Sequence, residues 1–96
     1  MAQIRGGRGI LVMHPRSYKE CTVIGDAVRN GFAVVVNLSE LEPEPSRQLV
    51  DFVSGLIFGL QGNIDRVTAY VLLVVPPGVT VVDDSGNLTG TFFNQF

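Results

Sequence analysis

The stretch Ser46–Gly62, SRQLVDFVSGLIFGLQG, reads as a helix with more apolar surface than one small domain can cover. At about 100° per residue, Leu49, Val50, Val53, Ile57 and Leu60 fall on one face, the stripe a helix lays on a sheet. Phe52, Gly55, Leu56 and Gly59 form a second cluster roughly 90° away. Only a narrow wedge, Arg47, Asp51, Ser54 and Gln61, suits water, and Phe58 intrudes on it. Leaving Phe52 and Leu56 solvated forfeits roughly 1.5–3 kcal/mol each. Something else should therefore cover the second face. A second copy of the chain is the simplest candidate, and the chain's own tail folding back is the alternative.

The glycines sharpen that expectation. Gly55 and Gly59 are four apart, and each mid-helix glycine costs roughly 1 kcal/mol relative to alanine. Small residues at this spacing let another backbone approach closely, a steric rule best attested in membranes. The competing reading is a strand or loop of the same protomer crossing there.

Around this helix the chain alternates strand and helix signals. Residues 1–8 read as a flexible lead-in. Ile10–Met13 is short, continuous and β-prone, the pattern of a central strand buried on both faces. Ser17 and Glu20 have capping-box spacing at a helix start. Val23, Ile24, Ala27 and Val28 give that helix its buried stripe, and Asn30-Gly31 its left-handed stop. Phe32–Leu38 is a second strand, so the unit predicts a right-handed strand–helix–strand crossover. Ser39 and Glu42 repeat the capping spacing, with Pro43 and Pro45 suited to the first turn of the long helix. After Gln61-Gly62-Asn63, residues 64–68 and 70–75 predict an antiparallel hairpin, and Pro76-Pro77-Gly78 a hard turn. Val79–Val82 is another strand, residues 83–87 a turn, and Leu88–Phe93 a last extended piece. The expected fold is α/β, an α+β sandwich in the order β-α-β-α-β-β-β: one mixed sheet of five or six strands carrying two helices, and dimeric.

Little in the chain suggests reaction chemistry. His14 is the single histidine and Cys21 the single cysteine, so neither a metal cluster nor a disulfide framework is expected. His14, beside Pro15, reads as a turn residue, and Cys21 as a packed thiol. Arg5-Gly6-Gly7-Arg8-Gly9 precedes a strand instead of following one, so it reads as linker, not phosphate cradle. Asp83, Asp84 and Asn87 lack the alternation and terminal glutamate of a calcium loop. Asn37-Leu38-Ser39 and Asn87-Leu88-Thr89 match glycosylation acceptors, but no secretory signal is read at the N-terminus. With 7 basic and 9 acidic side chains and no basic stripe, nucleic acid is not an expected partner. No run reaches the roughly 20 apolar residues of a membrane span. The expectation is a soluble, intracellular, non-enzymatic domain without cofactor or metal.

Several runs together resemble a known family. RQLVDFVSGLIFGLQGNIDRV and YVLLVVPPGVTV, with VMHPRSYKE near the start and AVVVNLSEL between, are similar to the core domain of SepF, the bacterial cell-division family. The likeness covers about residues 9–82, leaving 1–8 as a linker remnant and 83–96 as a C-terminal turn with an edge strand or tail. It implies a cytoplasmic adaptor that dimerises, binds the C-terminal tail of the tubulin-like division protein FtsZ, and helps anchor or organise FtsZ filaments at the inner face of the membrane at the division site. Family members reach the membrane through an N-terminal amphipathic helix and a flexible linker. Neither is found here, which suggests an excised core, and direct lipid contact is not expected of these residues.

Residue by residue, the resemblance implies a dimerisation glycine at Gly55, a basic residue opening the helix at Arg47, and the aromatic of V-D-F at Phe52. The implied tail-binding set is Arg47, Gln48, Asp51 and Phe52, with Phe58 added from its position in the polar wedge. The implied dimer set is Phe52, Gly55, Leu56 and Gly59. Many relatives have two adjacent basic residues where this chain has Arg47-Gln48, which weakens electrostatic steering. FtsZ tails combine acidic and apolar residues, so a guanidinium beside an aromatic pocket suits them. The main alternative is a small-molecule regulatory domain of ACT-like or ferredoxin-like kind, and a weaker one a hydrolase using Cys21.

Overall fold

A computed structural model describes residues 8–84 and the short strand Leu88–Thr89. The readings of residues 1–7 as lead-in, of 85–87 as turn and of 90–96 as strand or tail lie outside the described residues. Six strands and two helices follow in the order β1 (Gly9–Met13), α1 (Cys21–Arg29), β2 (Phe32–Asn37), α2 (Pro43–Leu60), β3 (Asn63–Thr68), β4 (Val71–Val75), β5 (Val81–Val82) and β6 (Leu88–Thr89). The α/β architecture is that read from the sequence, and the elements follow the expected order with one further strand, β6, at the end. The six strands divide, however, into a four-stranded sheet, β1-β2-β4-β3, and a separate β5-β6 pair.

β1 and β2 run parallel, as a strand–helix–strand crossover requires. β4 joins β2 antiparallel, and β3 returns along β4 as the expected hairpin, with a register shift between Arg66 and Thr68. Val34 faces Val74, which faces Ile64, so one row of branched side chains runs across three strands. Both helices pack on that face. Its side chains (Val34, Val36, Leu72, Val74 and Ile64) are sealed against Ile24, Ala27 and Val28 of α1 and Leu49, Val53 and Ile57 of α2 in one core.

β1 corrects the sequence reading. It is an edge strand, and Ile10 and Val12 are 70% and 59% exposed. A run of four apolar residues looks the same whether its second face is covered or bare. Here Leu11 and Met13 turn to the helices, and their neighbours do not.

The helix ends also differ from the simplest capping expectation. The Ser17 hydroxyl accepts from the Lys19 amide at 3.2 Å and Glu20 accepts from the Arg16 amide at 2.8 Å. Together they close a 3-10 turn, Tyr18–Glu20, from which α1 continues. Ser39 and Glu42 form no capping box. The Ser39 amide bonds back to Asn37 Oδ1 at 2.9 Å, and Glu42 caps α2 without a side-chain bond because Pro43 already supplies a first turn that needs no amide partner. The α2 C-terminus is closed by Gln61 in the left-handed region, φ 62°. Gly62 follows against the end of β4, where a Cβ would meet the Val75 carbonyl oxygen.

Candidate partner-docking face on the second helix

The inner stripe of α2 is as the periodicity requires: Leu49, Val50, Val53 and Ile57 are buried and Leu60 is half-buried. The opposite face carries Phe52, 51% exposed, and Phe58, 55% exposed. Between them on the helical wheel, separated by roughly 120° of arc, lie Gly55 and Gly59. A Cβ built on either glycine meets nothing within 4 Å. Among the described residues, therefore, no strand or loop of the same protomer crosses the seam. The reading that an internal crossing explains these glycines finds no support here.

Gly25 on α1 behaves oppositely. A Cβ there would lie 2.6 Å from Leu56 Cδ2, so this glycine brings the two helices of one protomer together. Leu56 is accordingly half-buried against its own α1, and only part of its surface belongs to the outward face. Ser54 corrects the water-facing wedge in the other direction. It is half-buried, and its hydroxyl has no hydrogen-bond partner among the described residues.

Phe52 stands between two hollows. One, of about 420 Å³, is lined by Tyr18, Gln48, Asp51 and Phe52. The other, of about 200 Å³, runs between the helices and is lined by Thr22, Gly25, Asp26, Arg29, Phe52 and Leu56. Three of the expected tail-binding residues, Gln48, Asp51 and Phe52, thus meet in one hollow. Arg47 and Phe58 do not join them; both are exposed on the far side of the glycine seam, roughly 140° and 120° round the helix from Phe52. The wall contributed by α1 and the turn before it was absent from the sequence reading. Its signal was present: Tyr18, Thr22, Asp26 and Arg29 recur every three or four residues opposite the buried stripe of α1. Asp26 and Arg29 approach to 3.7 Å, with both side chains about two-thirds exposed, so this pair is too solvated to hold much.

The remaining chemical candidates fall in inert surroundings. Cys21 is buried at the start of α1, and burial pushes its thiol above its ordinary value, the opposite of an activated nucleophile. His14 is exposed just past β1, beside the buried Pro15. Among the described residues no group of three or more His, Cys, Asp or Glu could hold a metal ion, and no helix is long and apolar enough to cross a membrane.

The family model described as "Cell division protein SepF" matches residues 10–81. The chain belongs to the SepF family. Among curated SepF proteins, that of Cutibacterium acnes is 47% identical over 88 residues, covering 90% of this chain and 51% of the relative. SepF 2 of Streptomyces coelicolor is 44% identical over 88 residues, covering 90% of this chain and 41% of the relative. This chain thus spans about half the length of the SepF proteins it matches, or less. The structure of a SepF-like protein from Archaeoglobus fulgidus superposes with a TM-score of 0.65 at 19% identity, covering 79% of this chain and 94% of that one. At that identity the likeness speaks for the fold.

Proposed function

We propose that this chain is a non-enzymatic homodimeric adaptor of bacterial cell division. It binds the C-terminal tail of FtsZ and helps anchor or organise FtsZ filaments at the septal membrane, on the cytoplasmic side. Membrane contact itself belongs to an N-terminal amphipathic helix of the family and not to residues 8–84. The observation that carries the reading is the outward face of α2. Two half-exposed phenylalanines flank two glycines whose missing side chains face nothing among the described residues. A second α2 laid on Gly55 and Gly59 covers the phenylalanines and explains the glycines together.

The tail peptide then occupies the hollow beside Phe52. Tyr18 and Phe52 supply its apolar walls, Gln48 and Asp51 its polar rim. Arg47, across the seam, offers a guanidinium to acidic residues of the peptide, with Phe58 beside it as an apolar wall. The metabolite-binding alternative draws less from the fold. The hollows beside Phe52 carry polar groups but lie open on the outer surface, unlike the clefts that bury most of a small molecule.

Titration of the labelled chain with a synthetic FtsZ C-terminal peptide tests the reading. Saturable amide shifts at Tyr18, Gln48, Asp51 and Phe52, with a second set at Arg47 and Phe58, are expected. An unperturbed spectrum at millimolar peptide, or shifts confined to the opposite face of the sheet, contradicts it.

A further inference from the structure

Phe52 is a ridge with a hollow on either side, and the two sides differ in charge. On one side, with Tyr18 and Gln48, the charged group is Asp51. On the other, between the helices, Gly25, Phe52 and Leu56 give an apolar lining that Thr22, Asp26 and Arg29 rim. Among the described residues that line the two hollows, Arg29 is the one cation. Its charge is only loosely committed. The Asp26 carboxylate is 3.7 Å away, well beyond the about 2.7–2.9 Å of a charge-assisted hydrogen bond.

Helix geometry sets the spacing of the two hollows. Tyr18, just before α1, stands beside Gln48 and Asp51, and Gly25 stands beside Leu56. The two segments therefore run the same way along the groove between them, with Arg29 in the last turn of α1 at its far end. Phe52 and Leu56 are one turn apart, about 6 Å along the axis. In an extended peptide, side chains two residues apart point the same way at about 6.6 Å. One peptide can thus seat an apolar side chain on each side of Phe52. Asp51 at one end and Arg29 at the other then decide which way it lies.

We propose that Arg29 is a specificity-determining residue for the partner peptide. An apolar side chain of the peptide fills the hollow between α1 and α2, and a neighbouring carboxylate pairs with the Arg29 guanidinium. This assignment rests on the reading that an acidic, apolar tail docks at Phe52, and it adds the tail's direction. The planar guanidinium suits a carboxylate in a two-pronged contact. The solvated Asp26 contact is weak enough to be exchanged for it. Arg47, roughly 140° round α2 from Phe52, serves a different stretch of the peptide. The Thr22 hydroxyl donates to the Lys19 carbonyl at 3.3 Å, which leaves its oxygen to accept from a peptide amide.

Fluorescence anisotropy of the full chain with a labelled synthetic FtsZ C-terminal peptide tests the assignment. Arg29→Gln should weaken binding about three- to fivefold, a modest loss because this side chain is largely in water. It should also flatten the dependence of affinity on salt, and Arg29→Lys should recover part of both. Peptides with each acidic residue changed in turn to its amide locate the carboxylate. One of them should bind the wild-type chain as weakly as the unaltered peptide binds Arg29→Gln, and lose nothing further against that variant. A spin label beside that carboxylate should broaden the amides of Asp26 and Arg29 more than that of Tyr18. The broadening is read on the unaltered chain, so it decides even if a variant fails to fold. Wild-type affinity and salt dependence in Arg29→Gln overturn the proposal and leave docking at Phe52 standing, as do losses that add in every combination. A wild-type chain that binds no peptide overturns both.

Discussion

Gly25 and Gly55 are both helical glycines, and they do opposite things. Gly25 sits where α1 meets α2, and its missing side chain is filled by Leu56 of the same protomer. Gly55 sits on the outward face of α2, and its missing side chain is filled by nothing in the described chain. The first glycine is explained by the protomer alone. The second carries a helix-propensity cost of roughly 1 kcal/mol with no return among the described residues, which is why we read α2 as a helix shaped for a partner. In the proposed dimer, the contrast divides a single helix into a folding surface and a docking surface.

The strongest test of the inner side is Ile57→Ala, which empties a fully buried position at the centre of the α2 stripe. Denaturant unfolding should show a loss of about 2–5 kcal/mol; a loss below about 1 kcal/mol would mean α2 does not hold the core. Gly62→Ala comes next. Its Cβ would press on the Val75 carbonyl, a backbone atom that cannot swing away, so a loss of about 1–3 kcal/mol is expected in the same measurement.

The paired glycines give a graded test. Gly55→Ala, measured at concentrations too low for self-association, should raise stability by about 1 kcal/mol. Gly25→Ala gains the same helix propensity but must push the Leu56 methyl aside, so it should raise stability by less than Gly55→Ala does. An equal gain at both positions would erase the distinction between the two faces. The smallest effect belongs to Ser54→Ala, which removes a half-buried hydroxyl lacking a described partner and should raise stability by about 0.5–1 kcal/mol.

Much of this was legible because it is local. The α2 stripe follows from helical spacing, the ends of both helices from Asn30-Gly31 and Gln61-Gly62, and the β3–β4 hairpin from two β-prone runs with little between them. What was missed depends on which element lies next to which. The edge position of β1 is a matter of strand order, to which four apolar residues are blind. The cover over Leu56 comes from α1, whose approach through Gly25 cannot be read from α2 alone. The separation of Arg47 from Phe52, by contrast, follows from counting about 100° per residue. Grouping the two in one pocket followed the family resemblance instead of the helix.

The central claim is that the glycine seam of α2 is filled by a second copy of the chain, and sedimentation equilibrium tests it most directly. The wild-type chain should sediment at twice the protomer mass, and a Gly55→Lys chain that retains its folded circular dichroism should sediment at the protomer mass. A wild-type chain that stays monomeric at every concentration, or a folded Gly55→Lys chain that still dimerises, contradicts it.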